Sequence, residues 1–449
     1  MQVIEFRSKS LRSLKSLTYG IQPKPGASAA PVHVSYSRQG LQRRNAIKAS
    51  DRLQIPVIGL YAGYVNQVML EFVFDDDSVE LLTATVVTPT YKNPVLDSPT
   101  IIRKRQPETD LGFNYMVMKS EQGSPVIIDT DGEVRWIGTG IPSGQASTFQ
   151  DQGFYVGSRT STQFSRVELD GSITSFTPTR AGYAYFHHNI DQGRNGLLTE
   201  VATTTSAASV IAELDMASGF HREWDLGAIL SAYMSSRGDD AGAFVRDPAD
   251  WFHVNAATYR PSDNTLIVSS RENFLIGIDY DTSEIKWILG DPTKYWNQFP
   301  SLQDKALVLQ GPGDYPIGQH AVSITRDDLI LVFNNGQNSS RQPVGAPAGM
   351  SRAYSTVSAY RIDPLNRTAT EVWGFDYGQS ILSGICSSAY ETADGSLLID
   401  YAYVAQGDYV RLVGLDRTHQ VVFDLQFPNK SALTAWNAMP VPLDDIRFD

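Results

Sequence analysis

Residues 278–287 read IDYDTSEIKW: an apolar residue, an aspartate, a short turn, and a strand that closes on an aromatic side chain. The same order recurs as IDTDGEVRW at 128–136, LDGSITSF at 169–176, LDMASGFHREW at 214–224, IDPLNRTATEVW at 362–373 and LDRTHQVVF at 415–423. Aspartate at the head of a tight turn accepts hydrogen bonds from its own backbone, and a terminal aromatic fills the space between neighbouring sheets. These six hairpins, with terminal aromatics 40 to 86 residues apart, predict six four-stranded sheets joined by loops of unequal length. Closing such an array around an axis leaves only short strand edges, so the expectation is an all-β chain folded as a six-bladed β-propeller. An open solenoid would repeat at shorter and more regular intervals.

Outward from this repeat the pattern changes. Residues 1–31 are basic, then rich in Pro, Gly, Ser and Ala (GIQPKPGASAAP at 20–31), and read as an arm or linker. Residues 32–105 alternate apolar and polar positions in short runs such as VHVSYS and QVMLEFVF, which predicts a small N-terminal β-sandwich. Residues 106–449 are assigned to the propeller. A net charge of −12 argues against a nucleic-acid or anionic-membrane partner, because phosphate binding needs clustered Lys and Arg. No run is long and apolar enough for a membrane span, and the N-terminus shows no apolar core of a secretory signal. The single cysteine, Cys386, excludes an intramolecular disulfide and reads as a small buried apolar residue.

The first half of each repeat carries the candidate chemistry. His188, His320 and Ser388 each precede the leucine of their second strand by nine residues, and His253 does so by thirteen across the longer turn YRPSDN. These four residues therefore share one repeat position, on the strand that lines the channel of a propeller. Counting about equal distances from the turn near Ser262 and Asp263 sets Arg271 opposite His253. Asn334 takes the corresponding place in the next repeat, and Ala202 and Ala402 take it in two others. Three of the chain's seven histidines share this level, although polar residues lining a wet channel need no function.

Three histidines suggest zinc first. Arg271 argues against a cation, and no carboxylate occupies the equivalent positions, so no metal is assigned. Histidines beside an arginine suit an anionic substrate: guanidinium matches the oxygens of sulfate or phosphate, and neutral imidazole can attack an electrophilic centre. The GxSxG, HExxH, P-loop and dinucleotide motifs are absent. Two other readings stay open, a non-catalytic propeller that binds an anionic partner and a metal-dependent propeller lyase or hydrolase.

The stretch from DWFHVN at 250–255 to WILG at 287–290 resembles the most distinctive part of the PAPS-independent arylsulfate sulfotransferases. FHHNI, GQHAVSI, LVFNNG and CSSAYETADGSLLI resemble that family's other channel strands, and IPVIGLYAGYVNQV at 55–68 is similar to part of its N-terminal sandwich. The resemblance implies transfer of a sulfuryl group from a phenolic sulfate donor to a phenol acceptor through a sulfated histidine, with no nucleotide cofactor. It implies that His320 is the nucleophile and His253 a second active-site histidine. It further implies that Asn255 and Arg271 hold the sulfuryl group and that one histidine of FHHNI contributes. Repeat spacing favours His188 there, with His187 as the fallback. Tyr64, with Tyr61, is a candidate contact to the aromatic substrate, core packing being equally open. The resemblance points to a periplasmic address, which the missing signal leaves open, as is a homodimer.

Overall fold

The repeated aspartates set the turns. In a computed structural model, which describes all residues except 1, 94, 97, 98, 122, 142, 179, 218 and 430–433, these turns link successive antiparallel strands. Each carboxylate accepts N–H groups of its own turn: Asp129 from Asp131 and Glu133, Asp170 from Ser172, and Asp215 from Ala217. Asp279 accepts from Asp281 and Thr282, Asp363 from Asn366, and Asp416 from Thr418 and Gln420. Ser218, in the third of these turns, lies outside the described residues.

The strands pair as consecutive four-stranded meanders, the arrangement of a β-propeller. The second sheet begins at Ser147–Gln150, the third at Tyr183–Gln192, the fourth at Val254–Arg260, the fifth at Gln319–Ile324 and the sixth at Ser388–Glu391. The first takes its inner strand from the far end of the chain, where Asn437–Val441 pairs antiparallel with Tyr115–Lys119. Hydrogen bonds cross every junction. They run from Trp136 Nε1 to the Leu169 carbonyl, from Phe186 N–H to Ser158, from Val254 N–H to Ala208 and from Asn255 Nδ2 to Gln319. Ser323 Oγ donates to Ala389, and Ser388 Oγ to Ala438 next to the chain's end. Ser388, the fourth residue of the histidine repeat position, is therefore spent on joining the sixth sheet to the first.

Aromatic packing between layers follows the repeat. Trp287 and Phe423 are fully buried, each over a glycine of the preceding strand, Gly277 and Gly414. A Cβ on either glycine would come within 2.2 or 2.1 Å of the ring, so the close approach requires glycine there. Loss of such a ring costs about 3–5 kcal/mol in a packed core.

The N-terminal boundaries need correction. Residues 1–31 are no arm: Gln2–Arg7 pairs with Arg52–Val57, and Leu14–Ile21 pairs with both Val32–Ser37 and Val65–Phe74. Arg7 and Lys15 lie on outward strand positions, Lys9 and Arg12 on the short helical turn Lys9–Ser13 between the strands, while Leu14, Leu17, Tyr19 and Ile21 point inward. A three-stranded and a five-stranded sheet share one core, with Leu53, Ile55 and Val57 in the same cluster as Val34, Val68 and Phe72. The five-stranded sheet also receives Ile446–Phe448 from the C-terminus, parallel to Val32–Ser37. Thr100–Arg103, placed in the sandwich by its composition, instead pairs with Val421–Pro428 of the sixth sheet. Among the described residues no helix is long and apolar enough to cross a membrane.

Since residues 437–449 supply strands to both the first sheet and the five-stranded sheet, a chain ending at Trp436 should lose its cooperative thermal transition. Calorimetry that finds it melting within a few degrees of the full chain would refute this dependence.

Candidate functional site

At one height the inner strands leave their ladders. Register shifts fall between His187 and Ile190, between Val254 and Ala256, and between His320 and Ser323. His188, His253 and Ala321 there have φ of 54°, 51° and 52°, the left-handed region that side-chain-bearing residues seldom occupy. Bulges of this kind interrupt the regular alternation of side chains along a strand. The rings consequently meet: His188 lies 5.0 Å from His253 and 6.4 Å from His320, centroid to centroid, with Trp436 at 5.9 Å from His188. His187 stands behind His188 at 5.0 Å, and their Nδ1 atoms share a hydrogen bond of 2.7 Å. Both histidines of FHHNI thus belong to the cluster, with His188 toward its centre.

The tautomer of His320 follows from its partner. Asn335 donates Nδ2 to the carbonyls of Ser383 at 2.6 Å and Cys386 at 3.1 Å, so its Oδ1 faces the imidazole. That oxygen accepts from His320 Nδ1 at 2.7 Å, and the Gly318 carbonyl lies 3.4 Å from the same nitrogen. The proton therefore sits on Nδ1, and Nε2 presents a lone pair. Burial, followed by the Arg271 and His253 charges, pushes the His320 pKa down to about 3. Burial also lowers His187 to about 3 and His188 well below the usual histidine range; the latter is surrounded by protein although partly open to water.

His253 is oriented differently. Its Nδ1 bonds to Asp250 Oδ2 at 2.6 Å, and Arg341 Nη2 lies 3.3 Å from that oxygen. A carboxylate acceptor holds the proton on Nδ1 and leaves Nε2 to exchange protons with a ligand. Arg271 is tied to the same place by its backbone N–H, which donates to the His253 carbonyl at 3.1 Å. Its Nη1 meets Glu272 Oε1 at 2.5 Å. Glu272 is in turn held by Ser339 Oγ and by the N–H groups of Ser340 and Arg341.

Several expectations change here. Carboxylates do approach the cluster, Asp250 through His253 and Glu272 through Arg271, each committed to its partner. Among the described residues no three His, Cys, Asp or Glu side chains gather as a metal site. Asn335, rather than Asn334, is the amide against His320; Asn334 pairs with Gln319 and bonds to Ser358. Across the ladder His320 pairs with Phe333, and Asn335 reaches it from just past the end of the strand Ile330–Asn334. Asn255 is buried, and one Nδ2–H bonds to the Gln319 carbonyl at 2.7 Å, tying the His253 and His320 strands together. Tyr64 does not join the site. It packs edge-on to Tyr61 at 5.7 Å beneath Lys24, and Arg135 of the first sheet's outermost strand covers Tyr61 at 3.7 Å. Their amphipathic rings are spent on seating the sandwich against the propeller's outer edge. Cys386 is half-buried at the cluster's rim, not a core residue.

Asp250 and Glu272 were discoverable as the acidic neighbours in DWFH and SSRE, but the sequence does not show which way a loop carboxylate turns. For Asn335 the doubled Asn in LVFNNG was the available signal.

A family model described as arylsulfotransferase (ASST) matches residues 100–436. A stretch of 169 residues, 34% of this chain, is 27% identical to the arylsulfate sulfotransferase AssT of Escherichia coli O6:H1 and covers 27% of that protein. A stretch of 157 residues, 30% of this chain, is 31% identical to the arylsulfate sulfotransferase AssT of Lelliottia amnigena and covers 25% of it. The chain thus spans, in these alignments, well under half the length of either curated relative. Among solved structures, the β-propeller domain of Myceliophteria thermophila Cps50 (Swd1) superposes with a TM-score of 0.40 at 12% identity, covering 75% of this chain and 90% of that one. A europium-containing methanol dehydrogenase does so at 0.35 and 10%, covering 83% and 77%. Scores this low add nothing to the strand pairing.

Histidines held neutral by burial bind protons more readily after unfolding, so they stabilise the fold fully above their unfolded pKa of 6.5 and progressively less below it. The melting temperature should fall as pH drops from 6.5 toward 3, and His320→Asn should flatten part of that fall. Superimposable melting curves against pH for the two proteins would contradict the neutral assignment.

Proposed function

This chain belongs to the arylsulfotransferase family, and from that premise we propose that it transfers a sulfuryl group from a phenolic sulfate ester to a phenol through a sulfated His320. The observation that carries the reading is the His320–Asn335 bond, which leaves an imidazole Nε2 lone pair facing two further histidines and an arginine.

In the first half-reaction the Nε2 lone pair of His320 attacks sulfur, an N–S bond forms and the S–O bond to the aryl group breaks. Arg271 and the remaining amide N–H of Asn255 bind the sulfuryl oxygens, whose charge is spread in the transition state. The departing phenolate takes its proton from the Nε2 position of His253, whose cationic form Asp250 stabilises. His188 donates or accepts at the phenolic oxygen. In the second half the acceptor phenol loses its proton to His253 and attacks sulfur, and His320 leaves as neutral imidazole. No nucleotide or metal enters the balance. The substrates are small-molecule phenols and their sulfate esters.

Incubation with 4-nitrophenyl sulfate separates this reading from its rivals. Nitrophenol release should require an added phenol, survive EDTA and fall by at least about 10³-fold in His320→Asn. A sulfuryl mass increment should appear on the peptide containing His320. Release lost with EDTA would favour a metal enzyme, none at all a binding module, and an increment on the His253 peptide would reverse the two roles. Asn335→Ala should lower kcat by about 10²-fold with little change in KM, because it frees the wrong tautomer; an unchanged kcat would refute the tautomer argument.

A further inference from the structure

Arg159 has no part in the reaction above, yet it stands beside the histidines. It follows the strand Gly153–Gly157 as Arg271 follows Thr265–Ser270. Ser158 N–H closes its hairpin on the Gln163 carbonyl as Ser270 N–H does on Phe274, and an arginine comes next in both. The Ser158 carbonyl accepts the N–H of Phe186, the neighbour of His187, at 2.9 Å. Arg159 is thus fastened to the His187 side of the cluster, while Arg271 lies on the His320 side. The charges agree: Arg159 is among the groups that lower His187 and His188, and Arg271 among those that lower His320.

A row of rings leads from His320 toward the His187 side. From His320 it runs to His188 at 6.4 Å, to His187 at 5.0 Å and to the exposed Tyr185 at 6.2 Å. Beside Arg159 opens a cleft of about 470 Å³ walled by Ile141, Val156 and Ile173. Arg159 Nη1 bonds to Glu121 Oε1 at 2.7 Å, whereas its Nε and Nη2 make no hydrogen bond among the described residues. A guanidinium that is 35% exposed, half-committed and on the His187 side of the cluster is fitted to receive an anion.

We propose that Arg159 and its cleft bind an anionic substituent on the aryl ring of the substrate, so that the site favours aryl sulfates and phenols carrying a ring carboxylate. The orientation of that substrate rests on the sulfuryl-transfer reading, with the sulfuryl group at His320 and Arg271. Arg159 here acts on specificity and takes no part in bond making.

Non-transferable sulfonates test the proposal apart from catalysis. By titration calorimetry the full chain should bind 4-sulfobenzoate about 10-fold more tightly than toluene-4-sulfonate, the scale of one charge-assisted contact. Arg159→Gln should abolish the difference without altering the toluenesulfonate affinity, and Arg159→Lys should keep part of it. Equal affinities in the unmodified chain, no binding of either sulfonate, or a preference that survives in Arg159→Gln would each overturn the proposal. A preserved carboxylate preference together with failed transfer from 4-nitrophenyl sulfate would instead overturn the reaction and leave this site standing.

Discussion

Around the axis, inner strands must both pair with their own sheets and face one another. A strand in perfect register sends alternate side chains to its two faces, and both faces are occupied by neighbouring sheets. At the histidine level the ladder yields: the strands bulge, and His188, His253 and Ala321 enter left-handed backbone. Each such residue costs on the order of 1–3 kcal/mol. The surrounding junction bonds hold the distortion in place, among them Asn255 to Gln319 and Phe186 to Ser158. Strained backbone at three neighbouring strands, all at one height, is the geometric basis of the cluster.

The electrostatics follow from that crowding. Several imidazoles enclosed together with a guanidinium cannot all carry charge, and burial reinforces the preference for the neutral form. Acidic groups are kept one step back. Asp250 acts through His253, and Glu272 acts through Arg271. This arrangement suits an anion better than a carboxylate at the centre would, even though the whole chain carries a net charge of −12. The same enclosure continues below the cluster. Lys119, whose Nζ donates to Asn189 at 2.8 Å, is lowered to about 7, and Glu200, which accepts the Asn189 N–H, is raised to about 8. Burial drives both groups toward neutrality.

Second-line residues give the site its rigidity. Asn335 decides which nitrogen of His320 is free because its own amide is fixed by the carbonyls of Ser383 and Cys386. The loop from Ser339 to Arg341 grips Glu272 and through it Arg271, while Arg341 also reaches Asp250. One loop therefore supports both the arginine and the second histidine. The sandwich lies at the outer edge, where Tyr61 covers Arg135.

Local spacing was enough to read the hairpins and the pairing of Arg271 with His253, and it pointed to His188, His253 and His320 together, although the left-handed place that His188 and His253 occupy falls on Ala321 in the fifth sheet. All of these depend on turns and strands a few residues apart, whose geometry is carried by Asp, Gly and aromatic positions in the sequence itself. The strands within 1–31 escaped because basic composition masked their alternation. Asn335 was missed because it lies past the end of its strand, where counting from the hairpin no longer says which residue turns toward His320. The grip of the Ser339–Arg341 loop on Glu272, the closure of the first sheet by Asn437–Val441, and the setting of Arg159 beside His187 join segments tens to hundreds of residues apart. Only the tertiary fold brings those segments together, since nothing in a strand's own pattern specifies which distant loop will lie across its end.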